Sequence, residues 1–89
     1  MKYKVVFTNK AEKALNKIDY SHKKIILSWI KTNLVDCENP RQYGKALTGD
    51  KKGYWRYRVG AYRIISRIDD DKLIIIMFNV SHRIDVYEF

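Results

Sequence analysis

A chain of 89 residues with 18 Lys and Arg against 10 Asp and Glu carries a formal net charge of +8, a large excess for so short a protein. The length allows one modest hydrophobic core and excludes a second, so residues 1–89 are predicted to form a single domain. The charge favours an acidic partner such as RNA or DNA, bound through phosphate contacts and counterion release.

The single cysteine and the amino end bear on the compartment. Cys37 has no partner for an intramolecular disulfide, which suits a reducing environment. The first residues, MKYKVVFT, lack the long apolar segment of a signal peptide. The longest apolar run, Leu73 to Phe78, is far too short to span a bilayer. We therefore expect a soluble, cytoplasmic protein with no membrane partner.

The amino-terminal part predicts one strand and two helices. Lys2 to Thr8 alternates in the manner of a half-buried strand. Asn9 is the predicted cap of a first helix, and Ser21 starts a second helix that ends before the loop Asp36 to Arg41. The apolar stripes are Ala11, Ala14, Leu15 and Ile18 in the first helix, and Ile25, Ile26, Trp29, Ile30 and Leu34 in the second. The helices should form an antiparallel hairpin packed on a sheet.

A loop with at most a short turn is predicted from Gln42 to Lys52. Its three lysines, Lys45, Lys51 and Lys52, place positive charge just before the next predicted strands. Such charge can hold a nucleic-acid backbone.

The segment Tyr54 to Arg67, YWRYRVGAYRIISR, predicts a β-hairpin with arginines on one face. Gly60-Ala61 suits a type II′ turn, and the resulting register sets Arg58 opposite Arg63. One face then carries Trp55, Tyr57, Val59, Tyr62, Ile64 and Ile68, and the other carries Tyr54, Arg56, Arg58, Arg63, Ile65 and Arg67. Like charges directly opposite each other on a sheet repel. We therefore interpret the second face, hereafter the cationic platform, as a binding surface for a polyanion.

A turn at Asp69 to Asp71 and a third strand from Lys72 to Val80 follow the hairpin. The strand is almost entirely apolar, which predicts a central strand covered on both faces. A short tail, Ser81 to Phe89, carries His82, Arg83 and Tyr87. The predicted fold class is α+β, with the helical hairpin on one face of a mostly antiparallel twisted sheet. The platform occupies the opposite, concave face, and the tail can form one wall of it.

Metal and cofactor sites are not predicted. His22 and His82 are the only histidines, and no Cys or carboxylate pair stands at ligand spacing around them. The chain contains neither a phosphate-binding glycine loop nor a G-x-S-x-G motif.

Three motifs occur in order along the chain: KALTG from Lys45 to Gly49, YWRYRVGAYRIIS from Tyr54 to Ser66, and VSHRIDVY from Val80 to Tyr87. With these motifs the chain resembles the RelE/ParE superfamily of bacterial toxin–antitoxin toxins, and more closely its RelE branch of ribosome-dependent mRNA endoribonucleases. The resemblance covers almost the whole chain. It implies a β-α-α-β-β-β RelE-like fold, a cognate antitoxin, mRNA in the ribosomal A site as substrate and no cofactor. It also implies that the toxin–antitoxin complex binds operator DNA.

The resemblance implies a set of catalytic residues as well. Arg56 matches a basic residue on the first hairpin strand, Arg63 the arginine after the turn, Arg83 the arginine beyond the last strand, and Tyr87 the tyrosine near the carboxyl end. His82 stands where other members have lysine or histidine.

The remaining platform residues are predicted RNA contacts. Some members of the family carry lysine at the position of Tyr54, and Lys51 or Lys52 can compensate for the missing positive charge. Tyr54 itself can stack on a base. Arg58 and Arg67 can contact phosphate or simply solvate the sheet face, and these two readings are equally supported.

Cleavage of RNA by attack of a ribose 2′-hydroxyl on its own phosphodiester needs a base, cations for the phosphorane charge and an acid for the leaving 5′-oxygen. Tyr87 or His82 is the candidate base. Arg63 and Arg83 are placed on the phosphate, and Arg56 near the leaving group. Tyrosine has an ordinary pKa of about 10, so neighbouring arginines are needed to favour its ionised form.

Two other functions share the same features. A ParE-like toxin binds DNA gyrase and cleaves nothing, and a non-catalytic RNA-binding module needs only the charge. The combination of Arg56, Arg63 and Arg83 with Tyr87 favours the nuclease, because a gyrase-binding protein has no chemical need to assemble it.

Overall fold

The computed structural model describes residues 1–82. The elements are β1 (Lys4–Phe7), α1 (Asn9–Asn16), α2 (Tyr20–Asn33), β2 (Lys45–Ala46), a 3-10 helix (Gly49–Lys51), β3 (Trp55–Val59), β4 (Tyr62–Asp69) and β5 (Ile74–His82). The strands form one sheet in the order β1-β5-β4-β3-β2. Only the β1–β5 pair is parallel, so the predicted α+β class with a mostly antiparallel sheet is confirmed.

Both helices begin one residue earlier than the sequence predicted. The cap of α1 is Thr8 rather than Asn9, and its hydroxyl oxygen accepts a hydrogen bond from the Ala11 N–H at 3.1 Å. The cap of α2 is Asp19, so this helix starts at Tyr20 instead of Ser21. Threonine and aspartate serve as well as asparagine and serine at this position, and composition alone does not choose between neighbours.

The Asp19 carboxylate is the acceptor for several groups of the first turn of α2. It receives hydrogen bonds from the Ser21 hydroxyl at 2.7 Å and pairs with Nδ1 of His22 at 2.6 Å. These contacts favour the charged carboxylate and lower the pKa of Asp19 to about 2.

The helical hairpin packs on one face of the sheet. The core joins Ala11, Leu15, Ile26, Ile30 and Leu34 of the helical segment to Tyr57, Val59, Ile64, Ile75, Met77 and Val80 of the sheet. Ile25 was predicted to belong to this stripe, but 58% of its surface is exposed. It lies one residue, or about 100° around the helix, from the buried Ile26, and the apolar stripe is narrower than the sequence suggested. Neither helix is long and apolar enough to cross a membrane, as far as residues 1–82 are concerned.

The hairpin register agrees with the prediction over the whole length of β3, which begins at Trp55 rather than at the predicted Tyr54. Arg58 pairs with Arg63, Arg56 with Ile65 and Val59 with Tyr62. Gly60 has a φ of 57°, and Ala61 is not among the residues with positive φ, which is the combination that a type II′ turn requires.

The turn between β4 and β5 is also as predicted. The side chain of Asp69 accepts hydrogen bonds at 3.1 Å from the backbone N–H groups of Asp71 and Lys72. This is the local bonding that makes Asp a common turn residue. β5 runs from Ile74 to His82, so it begins two residues later and ends two residues later than the predicted strand from Lys72 to Val80.

Two features of the sheet differ from the prediction. Lys45–Ala46, expected in a loop, forms a fifth strand that pairs with β3. In addition, β5 is not covered equally on both faces, because Ile76 and Phe78 remain partly exposed while Ile75 and Met77 are buried against the helices.

Candidate nucleic-acid interface

The cationic platform lies on the sheet face that points away from the helices. Tyr57 and Ile64 are fully buried against the helices, so their neighbours in sequence, Arg56, Arg58 and Arg63, project to the other side. Arg58 and Arg63 are direct cross-strand partners, and Arg58 is exposed. Two guanidinium groups are therefore held side by side on one surface, an arrangement that costs stability and attracts anions.

An apolar side chain underlies the arginines. Ile65 pairs with Arg56 on this same face, and only 1% of its surface is exposed. The Nε atom of Arg56 is also buried, and it has no hydrogen-bond partner within residues 1–82. Arginine stems pack along apolar surface while the guanidinium head reaches solvent. A buried donor without a partner costs roughly 1–3 kcal/mol, so an incoming anion that accepts from Arg56 removes a penalty of the free protein.

A lysine joins this arrangement through the strand that sequence reasoning missed. Lys45 in β2 is the cross-strand partner of Arg56, and its side chain therefore lies on the platform face. Lys51 ends the 3-10 helix, and Lys52 lines a cavity of about 410 Å³ with Trp55 and Ile68, whose side chains belong to the helix face. Of the three predicted lysines, the sheet register places Lys45 beside an arginine of the platform.

Side-chain hydrogen bonds tie the loop before β2 to the sheet. The Tyr57 hydroxyl donates to the Pro40 carbonyl at 2.6 Å, and Trp55 Nε1 donates to the Tyr43 carbonyl at 2.7 Å. Burial raises the pKa of Tyr57, which keeps this hydroxyl a donor. Both hydrogen-bond donors belong to β3, so the loop is held against the strand that carries Arg56 and Arg58.

An ion pair fixes the same loop to the turn between β4 and β5. Arg41 makes a two-pronged contact with Asp70, at 2.9 and 3.0 Å, and the Tyr3 hydroxyl donates to the same carboxylate at 2.7 Å. The hydrogen bond from Arg41 is the main cause of the lowered pKa of Asp70, and the bond to Asp70 raises the pKa of Tyr3. The loop is thus held both to β3 and to the turn that follows β4.

Gly44 brings the loop into direct contact with the backbone of β3. It has a φ of 85°, and a Cβ at this position would lie 2.2 Å from the carbonyl oxygen of Arg56. We expect Gly44→Ala to lower the free energy of unfolding, measured with urea, by roughly 1–3 kcal/mol. Gly53→Ala is the matched control, because Gly53 also has positive φ, 98°, but no atom within 4 Å of its Cβ position. Equal losses in the two variants would contradict the close approach.

His82 is not brought together with the arginines. Its ring contacts that of Tyr62 with the centroids 5.3 Å apart, and Tyr62 in turn contacts His22 of α2 at 5.5 Å. Both contacts lie on the helix face. The cause is a β-bulge, since the β4–β5 register shifts between Ile65 and Ser66 and reverses the alternation of β5 beyond that point.

The other predicted residues fall into two groups. Arg67 is exposed and pairs with Ile76 on the platform side, and the Tyr54 ring contacts that of Phe78 edge-on at 5.4 Å. Arg83 and Tyr87 lie outside the described residues. Within residues 1–82, no three His, Cys, Asp or Glu side chains are grouped closely enough to hold a metal ion.

Comparison with known proteins identifies the family. The model of the ParE toxin of type II toxin–antitoxin systems (parDE) matches residues 5–87. Toxin RelG of Mycobacterium tuberculosis is 32% identical over 88 residues, which are 98% of this chain and 98% of that toxin. Among solved structures, a chain of the RelBE2 toxin–antitoxin complex of Mycobacterium tuberculosis is similar with a TM-score of 0.85 and 29% identity, over 96% of this chain and 95% of that one. A chain of the RelB-RelE antitoxin–toxin complex of Methanococcus jannaschii is 28% identical with a TM-score of 0.57, over 88% and 89% of the two chains. A family match that runs through both helices and the whole arginine hairpin, with similarity over nearly the full length of a known toxin, shows that this chain belongs to the RelE/ParE superfamily of type II toxin–antitoxin toxins.

Proposed function

We propose that this toxin is a ribosome-dependent mRNA endoribonuclease that a cognate antitoxin holds inactive. The cationic platform is the observation that supports this function most. Arg58 and Arg63 stand opposite each other, and Lys45 stands opposite Arg56, on the sheet face away from the helices. Four cations on one surface weaken the fold, and an RNA phosphate that binds among them offsets that cost.

The proposed reaction is attack of a ribose 2′-hydroxyl on the adjacent phosphorus, with loss of the 5′-oxygen of the next nucleotide. The 2′-hydroxyl proton passes to a base, and the leaving oxygen takes up a proton. Arg63 and Arg83 stabilise the charge on the phosphorane, and Arg56 stands near the leaving oxygen. The position of His82 on the helix face favours Tyr87 as the base in this proposal.

Dependence on the ribosome is part of the same proposal. The platform offers positive charge but no motif that would read a run of bases, so ordering of the substrate must come from elsewhere. A ribosome that holds mRNA in its A site supplies that order, and orientation of reacting groups lowers a barrier by several kcal/mol. The proposed place of action is therefore the cytoplasm, where ribosomes translate.

The proposed protein partner is an antitoxin. Two of the similar toxins, those of Mycobacterium tuberculosis and Methanococcus jannaschii, come from complexes with an antitoxin. For this chain, a charge of +8 favours an inhibitor with acidic residues and an amphipathic segment. We propose that the complex of the two proteins binds operator DNA.

Gyrase inhibition is the second candidate, because the matching family model describes ParE toxins. The discriminating experiment expresses the chain with and without its neighbouring gene and maps mRNA 5′ ends in translating cells. Cuts in phase with the ribosome are the expected result. Intact mRNA accompanied by DNA damage would favour the gyrase inhibitor, and RNA binding without cuts would favour a non-catalytic module.

Lys45 is expected to contact the RNA backbone. Lys45→Ala should weaken binding of single-stranded RNA and lower the slope of log affinity against log salt concentration by about 0.7, the value for one lost phosphate contact. Lys31→Ala is the control, because that lysine is an exposed cation in the last turn of α2, on the helix side of the sheet. An equal loss in the two variants would show that charge alone, rather than position on the platform, governs binding.

Cleavage is expected to survive removal of transition metals. No Cys or carboxylate pair stands at ligand spacing around either histidine in the sequence, and residues 1–82 contain no group of three His, Cys, Asp or Glu side chains that could hold zinc. The measurement is cleavage on programmed ribosomes after treatment with a zinc-selective chelator, with magnesium kept constant for the ribosome. Loss of cleavage that added zinc restores would contradict the proposed chemistry.

A further inference from the structure

Phe78 occupies an unusual position in β5. Ile65 pairs with Asn79 and Ser66 with Met77, so Phe78 falls between two registers with no cross-strand partner of its own. Met77 and Val80 are buried in the core, whereas Phe78 is only partly buried and contacts the Tyr54 ring at 5.4 Å with an interplanar angle of 86°. Regular alternation from the buried Ile75 and Met77 places Phe78 on the platform side of the sheet. The bulge then sets Asn79, the partner of Ile65, on the platform side as well, so two successive residues of β5 belong to that face.

The space beside Phe78 has a mixed chemistry. A cavity of about 550 Å³ is lined by Phe78 and Ile76, by Arg67, and by the turn that contains Asp69 to Asp71. The cavity adjoins the platform through Arg67. This residue lies two positions after Ile65 on β4, which places the two residues about 7 Å apart at the usual rise of a strand. One end of this surface therefore carries the arginines, and the other presents an aromatic ring.

The carboxylates decide which part of a nucleotide suits this cavity. Asp70 pairs with Arg41, whereas Asp69 accepts hydrogen bonds from backbone N–H groups and Asp71 is exposed, so the carboxylates of Asp69 and Asp71 keep the cavity wall negative. A phosphate is repelled by such a wall. A nucleobase is uncharged, stacks on aromatic rings, and can donate its exocyclic amino hydrogens to a carboxylate.

We propose that Phe78 and this cavity bind a nucleobase of the single-stranded RNA whose phosphates lie on the cationic platform. The inference depends on the proposed function only in taking RNA as the substrate. The base site lies along the same strands as the arginines, so a nucleotide next to the one held by Arg56 and Arg63 reaches it. Adenine, guanine and cytosine, which carry an exocyclic amino group, bind better there than uracil.

The test compares two substitutions that separate an aromatic ring from mere apolar bulk. Phe78→Leu keeps volume and loses the ring, whereas Phe78→Trp enlarges the ring. Binding of labelled single-stranded RNA to the purified toxin is measured by fluorescence anisotropy at low salt, with circular dichroism as the check of folding. Phe78→Leu is expected to weaken binding about 5- to 150-fold, the usual effect of losing one stacked base, and Phe78→Trp to retain it. Val35→Ala, which alters an exposed apolar residue after α2, should leave binding unchanged.

A series of oligonucleotides with a single abasic residue provides the independent reading. For the unaltered toxin, an abasic residue at one position should lower the affinity for RNA as much as Phe78→Leu does. For Phe78→Leu, an abasic residue at that position should lower the affinity no further. A flat abasic series, or equal binding by all variants, overturns the proposal. The proposal is also overturned if Phe78→Leu and Phe78→Ala weaken binding of the antitoxin but not binding of RNA, since the surface would then belong to a protein partner. If the toxin cleaves mRNA on ribosomes but no abasic position affects binding, the base site is wrong and the proposed function stands. If an abasic position weakens binding but no cleavage occurs, the base site stands and the proposed function is wrong.

Discussion

Arg63→Ala is expected to lower the rate of mRNA cleavage on programmed ribosomes by at least about 100-fold, the usual effect of removing one group that stabilises transition-state charge. The same substitution should leave the free energy of unfolding unchanged or slightly higher. Arg63 faces Arg58 across the hairpin, and removing one of two like charges relieves their repulsion. Cleavage is measured in single turnover, and stability by urea unfolding. Arg83→Ala is expected to behave in the same way.

Lys31→Ala is the matched control for charge. Lys31 is an exposed cation in the last turn of α2, remote from the platform in the fold, and its loss changes the net charge by the same amount. The control variant should cleave normally. If Arg63→Ala unfolds the protein, or if it cleaves at the native rate, the assignment of Arg63 to the phosphate is wrong.

Tyr87→Phe is expected to reduce single-turnover cleavage by about 10²- to 10⁴-fold, the range for loss of a general base. The substitution keeps the aromatic ring and removes only the hydroxyl. In the native toxin the rate should rise with pH as the base loses its proton, and this rising limb should flatten in Tyr87→Phe. His82→Gln should retain both the rate and the limb, because the His82 ring contacts Tyr62 on the helix face.

Tyr20→Phe controls for the loss of a tyrosine hydroxyl, since Tyr20 is 78% exposed at the start of α2. The opposite outcome, a flattened limb in His82→Gln alone, would make His82 the base. Near-native rates in both single variants and in the double variant would contradict a side-chain base altogether. Catalysis would then rest on arginine electrostatics and on positioning by the ribosome.

The hairpin could be predicted residue by residue because two local signals agree. Gly60-Ala61 sets the turn, and strict alternation on either side sets the faces. β2 could not be predicted, because two residues carry no periodicity. The pairing of Lys45 with Arg56 depends on contacts of Gly44, Trp55 and Tyr57 that hold the loop against β3, and those contacts span 12 to 17 residues.

The misplacement of His82 has one physical cause. Alternation from the buried Ile75 and Met77 would put His82 on the platform side, beside the arginines. The bulge at Phe78 inserts one residue, so Val80 is buried instead of Asn79 and every later side chain changes face. A run of apolar residues such as IIIMF gives no sign of such an insertion, because each of its members suits either face.

The parallel pairing of β1 with β5 has a consequence for the stage of synthesis at which the sheet can close. Lys4–Phe7 finds its sheet partner only in Ile74–Met77, and Thr8, which caps α1, bonds to Met77 and Phe78. Contacts between distant parts of a chain form late and slowly. The sheet therefore cannot close before Ile74–Met77 has been synthesised, and until then the first strand has no partner in the sheet.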